Sequence, residues 1–584
     1  MRLLISLLVL VLVSAGIASA DQPAAPGSAL QQYMLMAQNF GFSGSVLVVN
    51  DGRVVLRNGY GYAVRETSIA NTAASIFEVG SLTKQFTAVA IAKLEAENRL
   101  SADDELSKYF PDAPADKAHI TLRELLTHTS GIAVYGPGDD YFVMPRDKER
   151  AYLFEQPLGF KPGTSSRYSN GEYTLLAYIV EKVTGMPYEE YLRTAFFRPL
   201  NMPQTGDELP NWNAANATYS YFGGRPFSAA EFAQSYPYYG NIYGNGGIFS
   251  TLDDLHTWIT SLANGQVLPT AEFQRVISPD PLSGYGYGWE IVSFEGTTKI
   301  VSHGGVSDFG YNSKVMWTPD GRSIVIVLSN TGEMLGGAIP RDMITPTLLR
   351  FALTGVAPKI PAVRFTMNGA PSSALAGSYR LSNGGSLIAR VSDRSLILDP
   401  QSQAAIDALS SYDASTRARL NAETRTAISL LHEVAGGQCK IAIAVSKSHT
   451  AALCHGLGGR FSQLISANAG KVPQVTTLGT VPSWWDPDGT DATFIQVGGR
   501  APVMFRIHWR NGLFDSLGGH QIANPLETPL RGTSSETFAG MNVGAGNFVR
   551  ARFGCKRIDL TNALGVRFQM QHLSGHASSC TTGG

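Results

Sequence analysis

The sequence is poor in cysteine and has no excess charge of either sign. Four of the 584 residues are cysteine, and the formal net charge is only −1 because acidic and basic side chains almost cancel. Proteins that bind nucleic acid, or that are held on anionic membranes, normally present a clear excess of Lys and Arg. We therefore expect no nucleic-acid partner.

Long apolar runs are also absent beyond the start of the chain. Arg2 precedes an apolar run over residues 3–13, and Ala18-Ser19-Ala20 supplies the small residues of a cleavage site. This pattern predicts a signal peptide over residues 1–20 and a secreted or periplasmic mature chain without a transmembrane span. The alternative is a retained anchor, which the shortness of the run disfavours.

The four cysteines indicate two disulfides rather than a metal site. Their spacing matches no zinc pattern, and an oxidising compartment favours disulfides. Cys439 and Cys454 flank two apolar runs that are joined by Ser446-Lys447-Ser448, so a hairpin would place them opposite each other. Of the three possible pairings we therefore prefer Cys439–Cys454 with Cys555–Cys580.

The order of predicted elements indicates two domains with different architectures. Hairpin-linked strands at both ends of residues 21–355 enclose a largely helical middle, which predicts an α+β domain with one antiparallel sheet and a helical insertion. A linker is predicted over residues 356–371. Residues 372–584 are predicted to form a β-rich domain with one helical insertion.

The strands of the first domain are predicted from short apolar runs bounded by turn residues. The last two of them are joined by Pro319-Asp320-Gly321, which is typical of a turn. The predicted strands cover residues 45–49, 54–56, 289–294, 299–302, 313–317 and 323–328.

The run Glu78-Val79-Gly80-Ser81-Leu82-Thr83-Lys84 contains the one Ser-x-x-Lys of the chain. If the residues from Phe86 onward are helical, Ser81 lies at the helix start and Lys84 lies one turn later on the same face. A serine hydroxyl is a poor nucleophile until a neighbour takes its proton, and a lysine in suitable surroundings can do so. An exposed helix start would account for the motif alone equally well.

Two further motifs could complete a site. Tyr168-Ser169-Asn170 follows a loop signal and could present a phenol and an amide to a cleft. His303-Gly304-Gly305 ends a predicted strand, where the glycines would let a substrate lie close to the backbone. Tyr243-Gly244-Asn245 repeats the Tyr-x-Asn pattern, but we interpret it as a turn. We interpret His128, in the run Leu125 to Gly131, as a structural residue.

Taken together, these motifs resemble the serine β-lactamase and penicillin-binding-protein superfamily. Ser81-x-x-Lys84, Tyr168-x-Asn170 and His303-Gly304-Gly305 match its three active-site motifs in order, in the class C-like branch that includes serine esterases, D-aminopeptidases and DD-peptidases. The resemblance covers roughly residues 30–355. Several relatives of that branch carry a small lipocalin-like barrel after the hydrolase domain, and the β-rich pattern of residues 372–584 is compatible with one.

The resemblance implies acyl transfer through a covalent serine ester. Ser81 would be the nucleophile, Lys84 and Tyr168 would share the role of general base, and no metal ion or organic cofactor would be needed. Asn170 would hydrogen-bond Lys84 and the substrate. The implied substrate contacts also include His303, Gly304 and Gly305, and the implied oxyanion hole consists of the backbone N–H groups of Ser81 and Val306.

The implied substrate is a small molecule or peptide with an ester, amide or peptide bond, and cell-wall material is a further option. Histidine at position 303 is mostly neutral at pH 7 and therefore less suited than lysine to a substrate carboxylate, which disfavours efficient β-lactam hydrolysis. The alternatives are a class C-type β-lactamase and a non-catalytic scaffold on the same fold. A cluster of aromatic side chains could line the pocket or could simply pack within a surface loop. Its members are Tyr219, Tyr221, Phe222, Tyr236, Tyr238, Tyr239 and Tyr243.

Overall fold

The structure is a computed structural model. It describes residues 26–133, 144–207, 216–222, 225–228, 240–294, 297–332, 334, 339–358, 371–392, 395–410, 412, 414–435, 475–482, 491–497, 503–510, 513–521, 526–534, 537–542, 547–553, 558–562 and 566–574. The predicted signal peptide, most of the predicted linker and all four cysteines lie outside these residues. The signal-peptide and disulfide assignments therefore remain predictions.

Twelve α-helices occur in the described residues. They are α1 Pro26–Asn39, α2 Thr83–Ala96, α3 Leu106–Tyr109, α4 Leu122–Leu126, α5 Arg146–Glu155, α6 Asn170–Thr184, α7 Tyr188–Leu192, α8 Leu252–Ala263, α9 Thr270–Val276, α10 Pro340–Thr354, α11 Gln403–Leu409 and α12 Ala414–Ala435. None of them is both long enough and apolar enough to cross a membrane.

The strands before residue 355 form one large sheet and several two-stranded pairs. They are β1 Gly44–Asn50, β2 Arg53–Tyr60, β3 Tyr62–Val64, β4 Ile69–Ala70, β5 Phe77–Glu78, β6 Tyr219–Phe222, β7 Arg225–Ser228, β8 Phe249–Ser250, β9 Glu290–Phe294, β10 Thr298–Val306, β11 Asn312–Trp317 and β12 Ile324–Ser329. The large sheet is antiparallel with the order β2-β1-β12-β11-β10-β9.

The two ends of the first domain meet in the middle of this sheet. Strand β1 pairs with β12, with Gly44 opposite Ser329 and Val49 opposite Ile324. The α+β architecture with one antiparallel sheet is thus confirmed. Strand β10 extends past its predicted end at Ser302, so His303-Gly304-Gly305 lies inside a strand and not after it.

Helices cover both faces of the sheet, as the alternation of apolar side chains in its central strands requires. On β1, Leu47 and Val49 pack toward the core that contains α2 and α6. Val46 and Val48 pack toward the core that contains α1 and α10. The cleft described below opens on the α2 side of the sheet.

The second part of the chain is built around a closed eight-stranded antiparallel barrel. Its strands are β13 Gly377–Leu381, β14 Ser386–Ser392, β15 Ser395–Pro400, β20 Thr528–Gly532, β21 Thr537–Asn542, β22 Asn547–Phe553, β23 Ile558–Thr561 and β24 Arg567–Ser574. Strand β13 pairs with β24 and closes it. This agrees with the predicted lipocalin-like barrel, and large side chains such as Tyr379 and Phe538 belong to its buried core.

The segment inserted between β15 and β20 contains two helices and a separate four-stranded sheet. It contains α11, α12 and a four-stranded sheet of β16 Val475–Pro482, β17 Asp491–Val497, β18 Val503–Arg510 and β19 Leu513–Gln521. Helix α12 confirms the predicted helical insertion. Ala405 and Leu409 of α11 pack into the barrel core, so this helix ties the insertion to the barrel.

Candidate active site

Ser81 and Lys84 lie in direct contact at the start of α2. Ser81 belongs to a short 3-10 turn over Gly80–Leu82, and Lys84 is the second residue of the α-helix that follows. The Lys84 Nζ donates to the Ser81 Oγ at 3.0 Å. Lys84 is completely buried, whereas Ser81 is partly exposed. The amine is thus held inside the protein with the serine hydroxyl between it and the solvent.

A turn that follows β7 in the chain supplies a second partner for Lys84. The Lys84 Nζ also donates to the backbone carbonyl of Asn245 at 2.9 Å. The Asn245 side chain is buried and donates to Thr174 Oγ1 at 3.0 Å and to Asn241 O at 2.9 Å. These bonds fix the turn on α6, so the carbonyl that faces Lys84 has a defined position.

Asn245 was not predicted to belong to the site. Its segment, Tyr243-Gly244-Asn245, is a turn, as we had interpreted it. The turn nevertheless reaches the active-site lysine through its backbone. The repeated Tyr-x-Asn pattern was a signal that could have drawn attention to it, but a backbone carbonyl leaves no trace in residue type.

Tyr168 lies beside the Ser81–Lys84 pair. The Lys84 Nζ is 4.8 Å from the centroid of its ring. Tyr168 directly precedes Ser169, whose side chain accepts the N–H of Glu172 and caps helix α6. The capped helix start therefore sets the position at which the phenol approaches the lysine.

His128 supports Tyr168 from behind. Its ring centroid lies 4.5 Å from that of Tyr168. Its backbone carbonyl accepts the N–H of Arg167 at 3.0 Å, and its Nδ1 accepts the N–H of Ser169 at 3.3 Å. His128 thus binds both chain neighbours of Tyr168, in agreement with the structural role that we expected.

A buried carboxyl group completes this support. Glu172 Oε2 lies 2.5 Å from His128 Nδ1, and Glu172 Oε1 accepts the Ser130 hydroxyl at 2.5 Å. Burial raises the pKa of Glu172 well above its usual value. Burial, together with the charge of Lys84, holds the pKa of His128 well below its usual value. Both shifts favour a neutral pair.

Asn170 borders the cleft but does not bind Lys84 as predicted. It is the first residue of α6 and is 8% exposed. Its Oδ1 has no hydrogen-bond partner among the described residues, so the predicted bond from Lys84 is not formed. The Asn245 carbonyl takes that place. Asn170 is nevertheless one of the residues that line the cleft.

The cleft itself joins the nucleophile to strand β10. The described residues that line it are Glu78, Gly80, Ser81, Asn170, Ile242, Asn245, Gly246, Val306, Ser307 and Phe309. Val306 is half exposed. Its backbone nitrogen would lie 2.9 Å from a Cβ placed on Gly80. The two residues assigned to the oxyanion hole, Ser81 and Val306, are therefore neighbours in one cleft.

The glycines of β10 lie where a side chain would meet other protein atoms. A Cβ on Gly305 would stand 2.1 Å from the carbonyl oxygen of Val79, and one on Gly304 would stand 2.5 Å from Arg341 Nη1. This packing accounts for both glycines, and their contact with a substrate stays a prediction. Gly305 lets the strand pack directly on the turn that carries Ser81.

His303 is buried and does not line the cleft. Its ring centroid lies 6.2 Å from that of Tyr168, and burial lowers its pKa to about 4 despite the opposing charge of Glu290. The neutral state that we expected at pH 7 follows. For Glu290 itself burial acts to raise the pKa, but Lys314, 3.0 Å away, and His303 outweigh burial and lower it.

The predicted cluster of aromatic side chains could line the pocket or simply pack. Those of its members that the structure describes are not among the residues that line the cleft. Tyr243 is fully buried and donates to Glu181 Oε1 at 2.6 Å. Tyr236, Tyr238 and Tyr239 lie outside the described residues. Phe309 is the aromatic residue of the cleft, and it stacks on Phe227 with ring centroids 4.3 Å apart. No pattern in the sequence distinguished it.

Among the described residues, no group of three or more His, Cys, Asp or Glu side chains is arranged so that it could hold a metal ion.

Comparison with known proteins gives a consistent result for the first part of the chain. The family model described as Beta-lactamase matches residues 35–343. The chain is 30% identical over 301 residues to putative penicillin-binding protein PbpX of Bacillus subtilis (strain 168), across 50% of this chain and 72% of that protein. It is 29% identical over 313 residues to penicillin-binding protein 4* of the same organism, across 50% of this chain and 69% of that protein.

One solved structure resembles nearly the whole chain. It is the octameric penicillin-binding protein homologue from Pyrococcus abyssi, with a TM-score of 0.50 and 19% sequence identity. The alignment covers 93% of this chain and 99% of that one. At this identity the likeness concerns the fold alone, and it extends to the barrel part as well as to the sheet and helices around Ser81.

Proposed function

The chain belongs to the serine β-lactamase and penicillin-binding-protein superfamily, and from that premise we propose that it hydrolyses an ester, amide or peptide bond through a covalent intermediate on Ser81. The observation that carries the proposal is the 3.0 Å contact between Lys84 Nζ and Ser81 Oγ at the edge of a cleft. A serine becomes a useful nucleophile when a base lies within hydrogen-bond reach.

The proposed reaction begins when Ser81 Oγ attacks the carbonyl carbon of the substrate. A C–O bond forms, and the hydroxyl proton passes to Lys84 or to the Tyr168 phenolate. The carbonyl electron pair moves to the oxygen, which the backbone N–H groups of Ser81 and Val306 would stabilise. Such donors contribute about 3 to 4 kcal/mol each in other acyl-transfer enzymes.

The second half of the proposed reaction restores the enzyme. The bond from the carbonyl carbon to the leaving oxygen or nitrogen breaks, and the leaving group takes the proton that Ser81 lost. Water then attacks the acyl ester with help from the same base, which releases a carboxylic acid and returns the proton to Ser81. Asn170, which lines the cleft, would orient the substrate.

A labelling experiment tests this proposal directly. A fluorophosphonate probe should add its mass to the wild-type protein and not to the Ser81→Ala variant. Turnover of p-nitrophenyl esters, D-alanyl amides and nitrocefin should then rank the esterase, peptidase and β-lactamase activities. Equal labelling of wild type and variant, or no labelling of either, would favour the non-catalytic scaffold.

We further propose that the chain is exported and acts outside the cytoplasm on a small-molecule or peptide substrate, with cell-wall material as one option. The support is the signal-peptide pattern of residues 1–20 together with four cysteines suited to an oxidising compartment. N-terminal sequencing of secreted or periplasmic protein should find a mature chain that begins near Asp21.

A further inference from the structure

Glu78 connects the two segments that surround the Ser81–Lys84 pair. Its side chain is buried, with 2% of its surface exposed, and it forms part of the cleft wall. Glu78 Oε1 accepts the backbone N–H of Gly80 at 2.7 Å and that of Gly247 at 3.0 Å. One carboxylate oxygen therefore holds together two segments that lie 169 residues apart.

One segment carries both Ser81 and Lys84, and the other supplies the backbone carbonyl that accepts the Lys84 amine. Gly80 directly precedes Ser81. Gly247 lies two residues after Asn245, whose carbonyl accepts the Lys84 amine at 2.9 Å. We propose that Glu78 is a positioning residue that sets the distance between the Ser81 hydroxyl and the Lys84 amine. This inference rests on the function proposed above.

The backbone around Glu78 supports this role. The N–H of Val79 donates to Ile248 O at 2.9 Å, and the N–H of Ile248 donates to Thr83 Oγ1 at 3.3 Å. The segments around Ser81 and after Asn245 are thus joined at several points, and Glu78 Oε1 is the side-chain atom that accepts an N–H group from each of them. Because one oxygen accepts both N–H groups, loss of this side chain would release both segments at once.

The turn has little room to move away from this position. Gly80 has φ of +56°, and a Cβ there would stand 2.9 Å from Gly305 Cα and from Val306 N. The turn is therefore held between Glu78 on one side and β10 on the other. A displacement of about 1 Å between reacting groups can cost about a hundredfold in rate, so loss of the Glu78 contacts should be visible in acylation.

The test compares Glu78→Ala with Glu78→Gln. The glutamine carbonyl can still accept both N–H groups, whereas alanine can accept neither. We expect Glu78→Ala to acylate with the fluorophosphonate probe at least about tenfold more slowly than wild type, and Glu78→Gln to recover most of that rate. For a substrate that is turned over, the loss should appear in kcat with KM changed less than about twofold.

Asp254 provides a matched control outside the cleft. It is also a buried carboxylate, and its Oδ2 accepts the N–H of Gln204 and the hydroxyl of Thr205, both at 2.8 Å. Asp254→Ala should lower the melting temperature without changing the acylation rate of the folded protein. A rate loss in Glu78→Ala but not in Asp254→Ala would separate positioning from general destabilisation.

Hydrogen exchange gives a second readout that needs no activity. In wild type the amides of Gly80 and Gly247 should be protected, and in Glu78→Ala both should exchange faster together, while Glu78→Gln should retain protection. Unchanged protection in Glu78→Ala, wild-type acylation by that variant, or Glu78→Gln as slow as Glu78→Ala would each overturn the proposal. A wild type that is never labelled would instead contradict the proposed function, and the exchange measurement would still decide about Glu78.

Discussion

At the scale of single residues, the chemistry depends first on Lys84 and Tyr168. Lys84 is buried and lies 3.0 Å from the Ser81 hydroxyl, and Tyr168 packs against its amine. In the proposed mechanism either residue takes the proton of Ser81, so each should be needed for turnover.

We expect Lys84→Ala and Tyr168→Phe each to lower turnover at least about a hundredfold, because a positioned general base contributes rate factors of that order. Hydrolysis of the best substrate from the p-nitrophenyl ester, D-alanyl amide and nitrocefin panel measures this. Tyr109→Phe is a suitable control, since it also removes a tyrosine hydroxyl but one that donates to Asp104 outside the cleft. Near-wild-type rates in Lys84→Ala or Tyr168→Phe would remove that residue from the mechanism.

The pair formed by His128 and Glu172 allows a proton to be assigned. His128 Nδ1 accepts the N–H of Ser169, so this nitrogen does not itself carry a proton. We therefore expect the proton of its 2.5 Å contact with Glu172 Oε2 to lie on the carboxyl group. The raised pKa of the buried Glu172 agrees with this assignment.

A glutamine should therefore replace Glu172 with little loss of stability or turnover. Its carbonyl can accept the Ser130 hydroxyl and its amide can donate to His128, as the protonated carboxyl group does. We expect the melting temperature and turnover of Glu172→Gln to stay close to wild type, whereas Glu172→Ala should lose about 1–3 kcal/mol of stability because it removes the bonds to His128 and to the buried Ser130 hydroxyl. Thermal unfolding measures the stability of both variants, and hydrolysis of the best substrate measures turnover. A Glu172→Gln variant as unstable as Glu172→Ala would show that Glu172 is ionised.

At the scale of elements, the approach of β10 to the Ser81 turn determines the shape of the site. Gly305 packs on the Val79 carbonyl, and that same carbonyl accepts the Ser313 hydroxyl of β11 at 2.7 Å. Two neighbouring strands thus hold the turn from one side while Glu78 holds it from the other. A side chain at position 305 would push the strand away from the nucleophile.

Adjacent glycines of β10 provide a matched pair of variants. Gly305→Ala places its Cβ 2.1 Å from backbone oxygen, which cannot move without the turn. Gly304→Ala meets Arg341 Nη1, which would have to leave its bonds to Gly305 O and Ser313 O but needs no backbone movement. We expect Gly305→Ala to lose about 1–3 kcal/mol of stability and most of its acylation rate, and Gly304→Ala to lose clearly less of both. Thermal unfolding and probe labelling measure the difference, and equal losses would contradict the packing argument.

Elements with strong local signals could be predicted from sequence. The β1–β2 hairpin has a run of apolar residues on each side of Asn50-Asp51-Gly52, and α6 has apolar residues on one face with Gly185 at its end in the left-handed conformation. The end of β10 could not be predicted, because glycines at 304 and 305 weaken the strand pattern. Pairing with β11, where Val306 lies opposite Asn312, extends the strand regardless.

The site was predictable only where side chains carry the chemistry. Ser81, Lys84 and Tyr168 are marked by residue type and spacing, and the structure brings them together. Asn245 contributes through its backbone carbonyl and Glu78 accepts backbone N–H groups, so residue type gives no sign of either contact. Asn170 was expected to bind Lys84 because of its motif, but the 240–247 turn fills that position.

At the scale of the whole molecule, the described residues form separate buried cores. The two cores around the six-stranded sheet contain residues from Leu30 to Leu353. The cores of the barrel and its insertion contain residues from Leu375 to Met570. Units with their own cores normally unfold as separate cooperative transitions. Calorimetry should therefore resolve two transitions, of which Gly305→Ala lowers only one.

Glu423 should give the second transition a distinctive pH dependence. This α12 carboxyl group is 3% exposed and lies near Asp491 of β17, while Arg419 of the same helix pairs with Asp491. Burial and the charge of Asp491 raise the pKa of Glu423 to about 8 from an ordinary value of 4.5, and Arg419 opposes them only in part. The folded state therefore holds a proton that the unfolded state releases near pH 4.5.

The sign of the effect follows from that difference in proton binding. The stabilising contribution of neutral Glu423 is complete below about pH 4.5 and is lost progressively as the pH rises toward 8. In wild type, we expect the melting temperature of the transition that belongs to the barrel and its insertion to fall over this pH range. In Glu423→Gln the melting temperature of the same transition should fall less, and at pH 8 it should be higher than in wild type. The other transition, which Gly305→Ala lowers, serves as the internal control. Its pH dependence should be the same in wild type and in Glu423→Gln. A Gln variant that follows the wild-type curve in the barrel-part transition would show that Glu423 is already ionised in the folded protein.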